Sequence, residues 1–559
     1  MKNIKIILLS IFWSMPLYLF SEDVVIKAMK DEISRTVAKL QLENLQKPYF
    51  VSYYVYDSSS SYIEASFGDI KESGFDFWRN AKVDLRIGSM NFDNSNYITD
   101  YYRYKPVIKS LPEEEDYDSV RKSLWLMTDE AYKDALEKYA QKEAYRKKKN
   151  ITEIYGDLSP EKVENYTEKR DAFETIDMEK YKKWAQKVSA KFLEFKNIND
   201  ADLYINYDIV RKRFCNSEGS SYIVDSSYFD INVVVSMQNE YGYKISDNKR
   251  FLFANIPNAN MDKIEEEIYK YAKEMNDSYK AEKIDYYVGP ALFEDEAAGE
   301  FFNQLFVRNI SFSPKPWADK DEWLKYYYDI PKLTDRITKR VLPGFISVYD
   351  NPLEKKYQDT DLVGYYPIDN EAVKPSKLEL VKKGRLENIY ASRRPDKDIK
   401  QSNGHGRATV NSFVYPFSGN VFVNSEKTMP YKELKNKLIS MAKEQELDYV
   451  IVVKKVSRPQ SNDKIIGDPV LAYKLDVKTL KETPINISDF DGIGLRALRD
   501  IVATSNEYFT YNFYQEMPYV YSNGSVPSSI VMPKSILIQE IELKKTDKKP
   551  DRMPYMPRP

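Results

Sequence analysis

The spacing of hydrophobic residues predicts that the chain opens on a helix and then turns to strands. From residue 22 to residue 48, apolar side chains such as Val24, Ala28 and Ile33 recur at near-helical intervals, and Pro48 ends the pattern. Segments rich in Tyr, Val and Ile follow, bounded by Ser, Gly and Asn. They predict the strands Tyr49–Tyr56, Tyr62–Phe67 and Ala81–Gly88.

The alternation of helix and strand continues to about residue 288. It predicts helices over Asp118–Lys149, Lys180–Phe195 and Ile256–Tyr279, and strands over Leu203–Cys215, Tyr222–Val224 and Phe229–Gln238. Residues 150–178 are polar and mixed in charge, and with the helix before them they indicate a charged helical insert over about residues 112–178. The pattern predicts an N-terminal α+β domain over residues 22–288.

After Gly289-Pro290 the pattern changes to many short strands. Helices are predicted over Asp295–Phe306 and Tyr431–Gln445. The predicted strands are Phe345–Tyr349, Val363–Pro367, Leu378–Val381, Leu386–Ala391, Asn420–Asn424, Tyr449–Lys455, Leu471–Asp476 and Ser535–Glu542. This density predicts a β-rich C-terminal domain over residues 289–559, formed as a large antiparallel sheet or a barrel-like structure.

The first 21 residues have the pattern of a secretion signal. Lys2 and Lys5 precede an apolar stretch over residues 6–20, and Pro16 interrupts it. This stretch is too short and too broken for a comfortable membrane span. We expect cleavage before Glu22, and a periplasmic or secreted mature chain without a membrane span.

The amino-acid composition limits the classes of partner and of chemistry to be expected. Lys+Arg 84 nearly balances Asp+Glu 86, and the net charge is -2, so no electrostatic footprint for nucleic acid is present. The one cysteine, Cys215, excludes an internal disulfide framework. The chain also has one histidine, His405, which limits the supply of the commonest zinc ligand.

Several segments occur in an order that is typical of a known family. They are Tyr207–Gly219 (YDIVRKRFCNSEG) followed by Ser221, Gly289–Phe293 followed by DEAAGE, Gly384–Leu386 and Ser392-Arg393 before the loop Ser402–Arg407, and Ser525–Pro527 with Ile530–Pro533. In this order the chain resembles the TldD/PmbA family of predicted zinc-dependent peptidases, in which two subunit types form a cylinder around an interior active site. The resemblance spans most of the mature chain.

The resemblance sets the segment DEAAGE, residues 295–300, against the family's peptidase helix motif H-E-A-x-G-H. It implies that Glu296 keeps the position of the general base, whereas Asp295 and Glu300 stand in the positions of the two histidine ligands. The family's third ligand, a cysteine near the C-terminal strands, has no counterpart between Tyr519 and Ser528. The expected zinc ligands are therefore missing.

Three interpretations of this segment stay open. In the first, DEAAGE is a plain helix start whose acids complement the positive end of the helix dipole. In the second, the acids shape a peptide-binding groove without chemistry. In the third, Asp295 and Glu300 bind a divalent cation harder than zinc, and Glu296 activates water. No cofactor is expected in the first two cases, and zinc is disfavoured in all three.

The glycine-rich loop Asn403-Gly404-His405-Gly406-Arg407 is a second candidate site. Its backbone amides could hold a carboxylate or a peptide main chain, and Arg407 could pair with a peptide C-terminus. The other interpretation is a tight turn between two strands, with His405 exposed and idle. No serine or cysteine nucleophile accompanies His405, so we expect no catalytic triad.

Together these observations predict an exported, peptidase-like protein of the TldD/PmbA type that is non-catalytic. We expect it to bind peptides or an active partner subunit, as a homodimer or as a heterodimer with a related subunit. The alternative is a metallopeptidase that uses a carboxylate-bound divalent metal with Glu296 as general base. A purely structural envelope protein is the third class.

Overall fold

The computed structural model describes residues 22–99, 106–168, 176–255, 261–327, 331–459, 464–486, 488–516 and 524–550. The predicted secretion signal lies outside these ranges, as do the first residues of the helix predicted from Ile256. No helix in the described ranges is both long enough and apolar enough to cross a membrane.

The α-helices are α1 (Val24–Lys39), α2 (Tyr117–Lys149), α3 (Met178–Ala190), α4 (Met261–Asp277), α5 (Glu296–Leu305), α6 (Asp321–Tyr327) and α7 (Tyr431–Glu444). The strands of the first half are β1 (Pro48–Ser66), β2 (Asp69–Ser89), β3 (Phe92–Asp93), β4 (Tyr97–Ile98), β5 (Val107–Ser110), β6 (Asn165–Glu168), β7 (Asp200–Asn216), β8 (Ser221–Gln238) and β9 (Lys244–Phe253).

The strands of the second half are β10 (Glu282–Lys283), β11 (Tyr286–Glu294), β12 (Trp317–Ala318), β13 (Ile346–Asp350), β14 (Lys356–Tyr357), β15 (Thr360–Asp361), β16 (Leu378–Lys382), β17 (Arg385–Leu386), β18 (Gly406–Arg407), β19 (Tyr415–Pro416), β20 (Asn420–Ser425), β21 (Thr428–Met429), β22 (Tyr449–Val456), β23 (Pro469–Asp476), β24 (Glu482–Asn486), β25 (Ser488–Phe490), β26 (Ile501–Ser505), β27 (Tyr508–Glu516), β28 (Ser525–Pro533) and β29 (Ser535–Lys545).

One sheet of eight strands organises the first half of the chain. Its order is β3-β2-β1-β7-β8-β6, with β5 beside β2 and β9 beside β8. The central strands β1, β2, β7 and β8 are long and pair antiparallel. The apolar core on one face falls into two clusters. One joins α1 and α2 to one end of the strands, and the other joins α3 and α4 to the other end.

Strand β1 is continuous where the sequence predicts a turn between two strands. The serine-rich segment over residues 57–61 lies in the middle of β1, paired on both sides with β2 and β7. Its residues belong to neither apolar cluster, because they cross the gap between the two pairs of helices. Polar side chains are therefore tolerated there, and the local turn signal is overridden by strand pairing.

A buried network of ion pairs fills this gap. The carboxylate of Asp57 accepts hydrogen bonds from Arg79 at 2.6 and 2.8 Å and from Arg213 at 2.6 Å. Arg213 also donates at 2.9 Å to Asp23, the N-cap of α1, and at 3.1 Å to Glu115. Burial opposes ionisation, but these guanidinium groups hold the pKa of Asp57 below its usual value. The network thereby ties the start of α1 to the centre of the sheet.

A sheet of nine strands and a sheet of six strands share one core in the second half of the chain. A nine-stranded sheet has the order β10-β24-β23-β22-β11-β29-β26-β21, with β25 beside β29, and a six-stranded sheet has the order β17-β16-β13-β20-β28-β27. Helix α5 contributes Phe301 to an apolar core that also contains residues of both sheets, such as Phe293 of β11 and Ile530 of β28. Helix α7 packs on a separate cluster that includes Leu292 and Val450.

The α+β class and the β-rich second half are confirmed. Among the described residues neither large sheet closes into a barrel, and both are mixed, since β22 runs parallel to β11 and β28 runs parallel to β20. The predicted strand Val363–Pro367 is wrong, and so is most of Leu386–Ala391. The amides of Tyr366 and Tyr390 donate to the loop carbonyls of Pro352 and Ile310 instead of pairing in a sheet.

The ion network in the gap predicts that the stability of the fold depends strongly on the carboxylate of Asp57. We expect Asp57→Ala to lower the free energy of unfolding by about 3 kcal/mol or more, because two buried guanidinium groups lose their shared partner. Urea denaturation measures this change. The matched control is Asp76→Ala on β2, an exposed aspartate, which should change it by less than about 0.5 kcal/mol. Equal effects of the two substitutions would contradict this account of the network.

Candidate functional site

The candidate site forms where strand β11 leads into helix α5. Strand β11 ends at Glu294 and α5 begins at Glu296, and Asp295 between them has φ 47° and ψ -115°. A residue with a side chain adopts such a backbone conformation at a cost of about 1–3 kcal/mol. The Asp295 amide donates to the carbonyl of Lys534 at 2.8 Å, and its half-exposed carboxylate lies 3.9 Å from the Lys534 ammonium. The chain therefore enters α5 through a strained turn that Lys534 supports.

Glu296 is enclosed by two lysines. Its Oε1 lies 2.8 Å from Nζ of Lys455 on β22, and its Oε2 lies 3.2 Å from Nζ of Lys249 on β9. Lys455 is buried, lies 3.2 Å from Oδ2 of Asp247, and donates a hydrogen bond to the carbonyl of Asn248. One ammonium group is thus shared by two carboxylates. We call Asp247, Lys249, Glu296 and Lys455 the α5 ion cluster.

The α5 ion cluster fixes the charge of Glu296 and Lys455. Burial alone would raise the pKa of Glu296, but the ammonium groups of Lys455 and Lys249 hold it at about 2. Burial alone would lower the pKa of Lys455, but the charges of Asp247 and Glu296 raise it above its usual value. A general base works best when its pKa lies near the working pH. Glu296 in this setting is therefore a weak base at neutral pH.

Glu300 lies one helical turn after Glu296 and is satisfied by neutral donors. It accepts hydrogen bonds from the Tyr511 hydroxyl at 2.5 Å, from the Gln304 amide at 2.8 Å and from the Asn303 amide at 3.1 Å. Gly299 permits this arrangement, since a Cβ atom there would lie 2.7 Å from the Tyr511 ring. The glycine of the DEAAGE segment therefore has a packing role against β27.

The three acids of the segment consequently have different neighbours. Asp295 lies beside Lys534, Glu296 between two lysines, and Glu300 among neutral side chains. Within the part of the chain that the structure describes, no group of three or more His, Cys, Asp and Glu side chains is arranged to hold a metal ion. Cys215 lies in β7, far along the chain from residues 295–300, and burial raises the pKa of its thiol to about 12.

The glycine-rich loop is buried, so the expectation of an exposed His405 is wrong. His405 is 0% exposed, its Nδ1 lies 3.0 Å from the carbonyl of Asn403, and its ring packs 4.9 Å from that of Tyr390. Its Nε2 lies 3.8 Å from Asp350. Gly404 has φ +76°, a conformation that favours glycine. The sequence correctly predicts a glycine-rich loop here. A short sequence pattern does not show whether the surrounding structure will bury such a loop.

The rest of this loop also makes internal hydrogen bonds. Arg407 is buried and donates to the carbonyls of Ser418 and Pro527 at 2.6 and 2.7 Å. The Gly406 amide donates to Asp369 at 3.0 Å. These are the groups that the sequence suggested for holding a peptide. In the folded chain they connect the loop to Asp369, to Ser418 and to strand β28.

Two cavities flank the α5 ion cluster. The larger, of about 650 Å³, lies among β9, α5 and β27, and the smaller, of about 500 Å³, lies among β9, α4 and β27. Glu296, Lys455 and Tyr511 line both cavities. The first half of the chain contributes β9 and α4 and the second half contributes α5 and β27, so the site needs both halves.

Sequence reasoning missed both lysines of the α5 ion cluster. Lys455 carried a usable signal, since it interrupts the apolar strand YVIVVKKV, and a lysine is almost never buried unless it is paired. Lys249 carried no signal, because β9 was not predicted as a strand.

Residues 287–545 match the sequence profile of the PmbA/TldA metallopeptidase C-terminal domain. Solved structures share the fold over most of the chain. A proposed modulator of a DNA gyrase from Thermotoga maritima has 13% identity and a TM-score of 0.56, covering 88% of this chain and 96% of that chain. TldE from Thermococcus kodakarensis has 13% identity and a TM-score of 0.53, covering 92% and 99%. A proposed modulator of DNA gyrase from Bacteroides thetaiotaomicron has 9% identity and a TM-score of 0.57, covering 93% and 98%.

At these identities the structural matches show the fold alone. A search of curated proteins finds no match to the sequence. The sequence profile and the fold together define a peptidase-like α+β protein. Through residues 287–545, its C-terminal part belongs to the TldD/PmbA family.

The low pKa of Glu296 predicts a specific dependence of stability on pH. The folded value of about 2 lies below the unfolded value of about 4.3, so the stabilisation is fully present above about pH 4.3 and is lost as the pH falls towards 2. We expect Glu296→Gln to lower the free energy of unfolding at pH 7 by about 3 kcal/mol and to flatten its decline between about pH 4.3 and pH 2.

Urea denaturation at a series of pH values measures both effects. The control is Asp295→Asn, which changes the neighbouring half-exposed acid and should leave the curve nearly parallel to that of the unsubstituted chain. If the Glu296→Gln curve is also parallel, the lysines do not hold Glu296 in the way described.

Proposed function

We propose that this chain is an exported, non-catalytic member of the TldD/PmbA family that binds peptides or an active partner subunit. The observation that carries the proposal is the pairing of Glu296 with Lys455 and Lys249. The family resemblance assigns the general base to Glu296. Here both oxygens of that carboxylate are bound to ammonium groups.

The chemistry of metal-assisted hydrolysis does not fit these neighbours. Such a reaction needs a cation that polarises water and a base that accepts its proton. The Lys455 ammonium already lies against Glu296, and its positive charge repels a second cation at that distance. The one histidine, His405, is packed against Tyr390 instead of facing α5. The residues present therefore do not match a zinc centre.

The larger cavity supports a binding role. Its volume of about 650 Å³ is within the range of ligand pockets, about 300–1,000 Å³. Asn303 and Gln515 line it, and each is more than nine-tenths buried. Among the described residues, Oδ1 of Asn303 and Nε2 of Gln515 have no hydrogen-bond partner. Both atoms are covered by neighbouring groups, so the N–H and C=O groups of a peptide reach this acceptor and this donor only when the two side chains turn into the cavity.

The competing hypothesis is a metallopeptidase in which Asp295 and Glu300 hold a hard divalent cation. It requires Glu296 to separate from both lysines, leaving buried charges without partners, which is costly. It also requires Glu300 to exchange the Tyr511 hydrogen bond for a metal ligand bond. The packing around α5 favours the binding role over this alternative.

Peptide binding and peptide cleavage, measured on the same samples, test the proposal. We expect the mature chain to bind labelled unstructured peptides in fluorescence anisotropy and to leave them intact in chromatographic assays. Glu296→Gln should leave the absence of cleavage unchanged. Cleavage by the unsubstituted chain that Glu296→Gln abolishes would establish the metallopeptidase alternative. If neither a peptide nor a partner subunit binds, the purely structural role is favoured.

A further inference from the structure

The two cavities beside the α5 ion cluster differ in charge. Four cationic and four anionic side chains line the larger cavity, which makes its wall neutral overall. Seven cationic side chains but only four carboxylates line the smaller cavity. The excess positive charge therefore lines the smaller cavity, to which α4 contributes two lysines, Lys263 and Lys270, and two glutamates, Glu267 and Glu274.

Part of this positive charge has no internal partner. Lys263 and Lys270 are exposed on α4 at the wall of the smaller cavity. Among the ion pairs of the described residues, neither has a carboxylate within 4.0 Å. Lys534 on the opposite side has two long ion pairs, with Asp295 at 3.9 Å and with Glu507 at 3.8 Å. The ammonium groups of Lys263 and Lys270 are therefore the ones available to an anion that enters the cavity.

The inner wall of the same cavity is apolar and aromatic. Phe251 and Phe253 of β9 and Phe509 of β27 line it. Phe253 also belongs to the edge of the apolar cluster under α3 and α4. An apolar wall next to cationic side chains suits a ligand that carries a carboxylate beside a hydrophobic group. The end of a peptide chain has this combination.

We propose that the smaller cavity binds a carboxylate of the peptide, with Lys263 and Lys270 as its cationic contacts. This inference rests on the proposed peptide binding and adds the orientation of the bound peptide. The neutral larger cavity holds uncharged main chain at Asn303 and Gln515, and the carboxylate lies on the α4 side. The carboxylate comes from the peptide C-terminus or from an Asp or Glu side chain.

Matched synthetic peptides distinguish these sources. The first pair has one sequence without acidic residues and ends in a carboxylate or in a carboxamide. The second pair ends in a carboxamide and differs in one internal Glu or Gln. We expect the carboxylate form of at least one pair to bind about fivefold more tightly than its neutral form at about 0.15 M salt, and with a larger difference at about 0.01 M.

Two double variants locate the effect. Lys263→Gln with Lys270→Gln should abolish the preference for the carboxylate form while keeping the affinity for the neutral form. Lys432→Gln with Lys443→Gln is the matched control, since it removes two exposed lysines from α7, and it should keep the preference.

The outcomes separate this inference from the proposed function. Equal affinity for acid and neutral peptides would overturn the carboxylate site and leave peptide binding intact. A preference that survives in the Lys263/Lys270 double variant would also overturn the assignment. No binding of any of the four peptides would overturn the peptide-binding proposal itself.

Discussion

The arrangement around α5 depends on one buried ammonium group that two carboxylates share. Lys455 lies between Asp247 of β9 and Glu296 of α5, at 3.2 and 2.8 Å. Asp247 belongs to the first half of the chain, and Glu296 and Lys455 belong to the second. The ion cluster therefore joins the edge of the N-terminal sheet to the helix that carries the family motif. It also separates the two cavities and sets the charge of the residue in the position of the general base.

A lysine can replace some of what a metal ion does for a fold, but not its chemistry. Like a bound cation, the Lys455 ammonium compensates buried carboxylates and fixes their positions. Unlike a metal, it has no vacant coordination position for water and cannot act as a Lewis acid. A peptidase scaffold with this substitution would keep its interior cavity and lose hydrolysis, which is the logic of the proposed binding role.

The sequence predicts the parts of this protein that local patterns report. Helices α1, α2 and α7 follow from apolar spacing, and the start of α5 at Glu296 follows from the DEAAGE segment. The order of the motifs indicates the family, and two of them make contact in the fold. Arg393, from one motif, donates to Glu218 of the Asn-Ser-Glu-Gly turn at 2.6 and 2.9 Å. The local sequence around either residue does not predict this contact.

What the sequence could not give depends on contacts between distant segments. Burial of His405 results from Tyr390 and Asp350, which lie outside its own loop. Pairing of Glu296 with Lys455 joins residues separated by much of the second half of the chain, and pairing with Lys249 crosses into the first half. The same local pattern fits an exposed acid at a helix start and a buried acid paired with lysines. Only the tertiary structure distinguishes these two cases.

The metal content of the purified chain tests the central claim most directly. The account predicts that elemental analysis, after dialysis against zinc, manganese, magnesium and calcium in turn, finds no stoichiometric metal, because Lys455 and Lys249 together already neutralise the carboxylates of Glu296 and Asp247. One equivalent of any of these ions per chain, lost when Glu296 is replaced by glutamine, would contradict it.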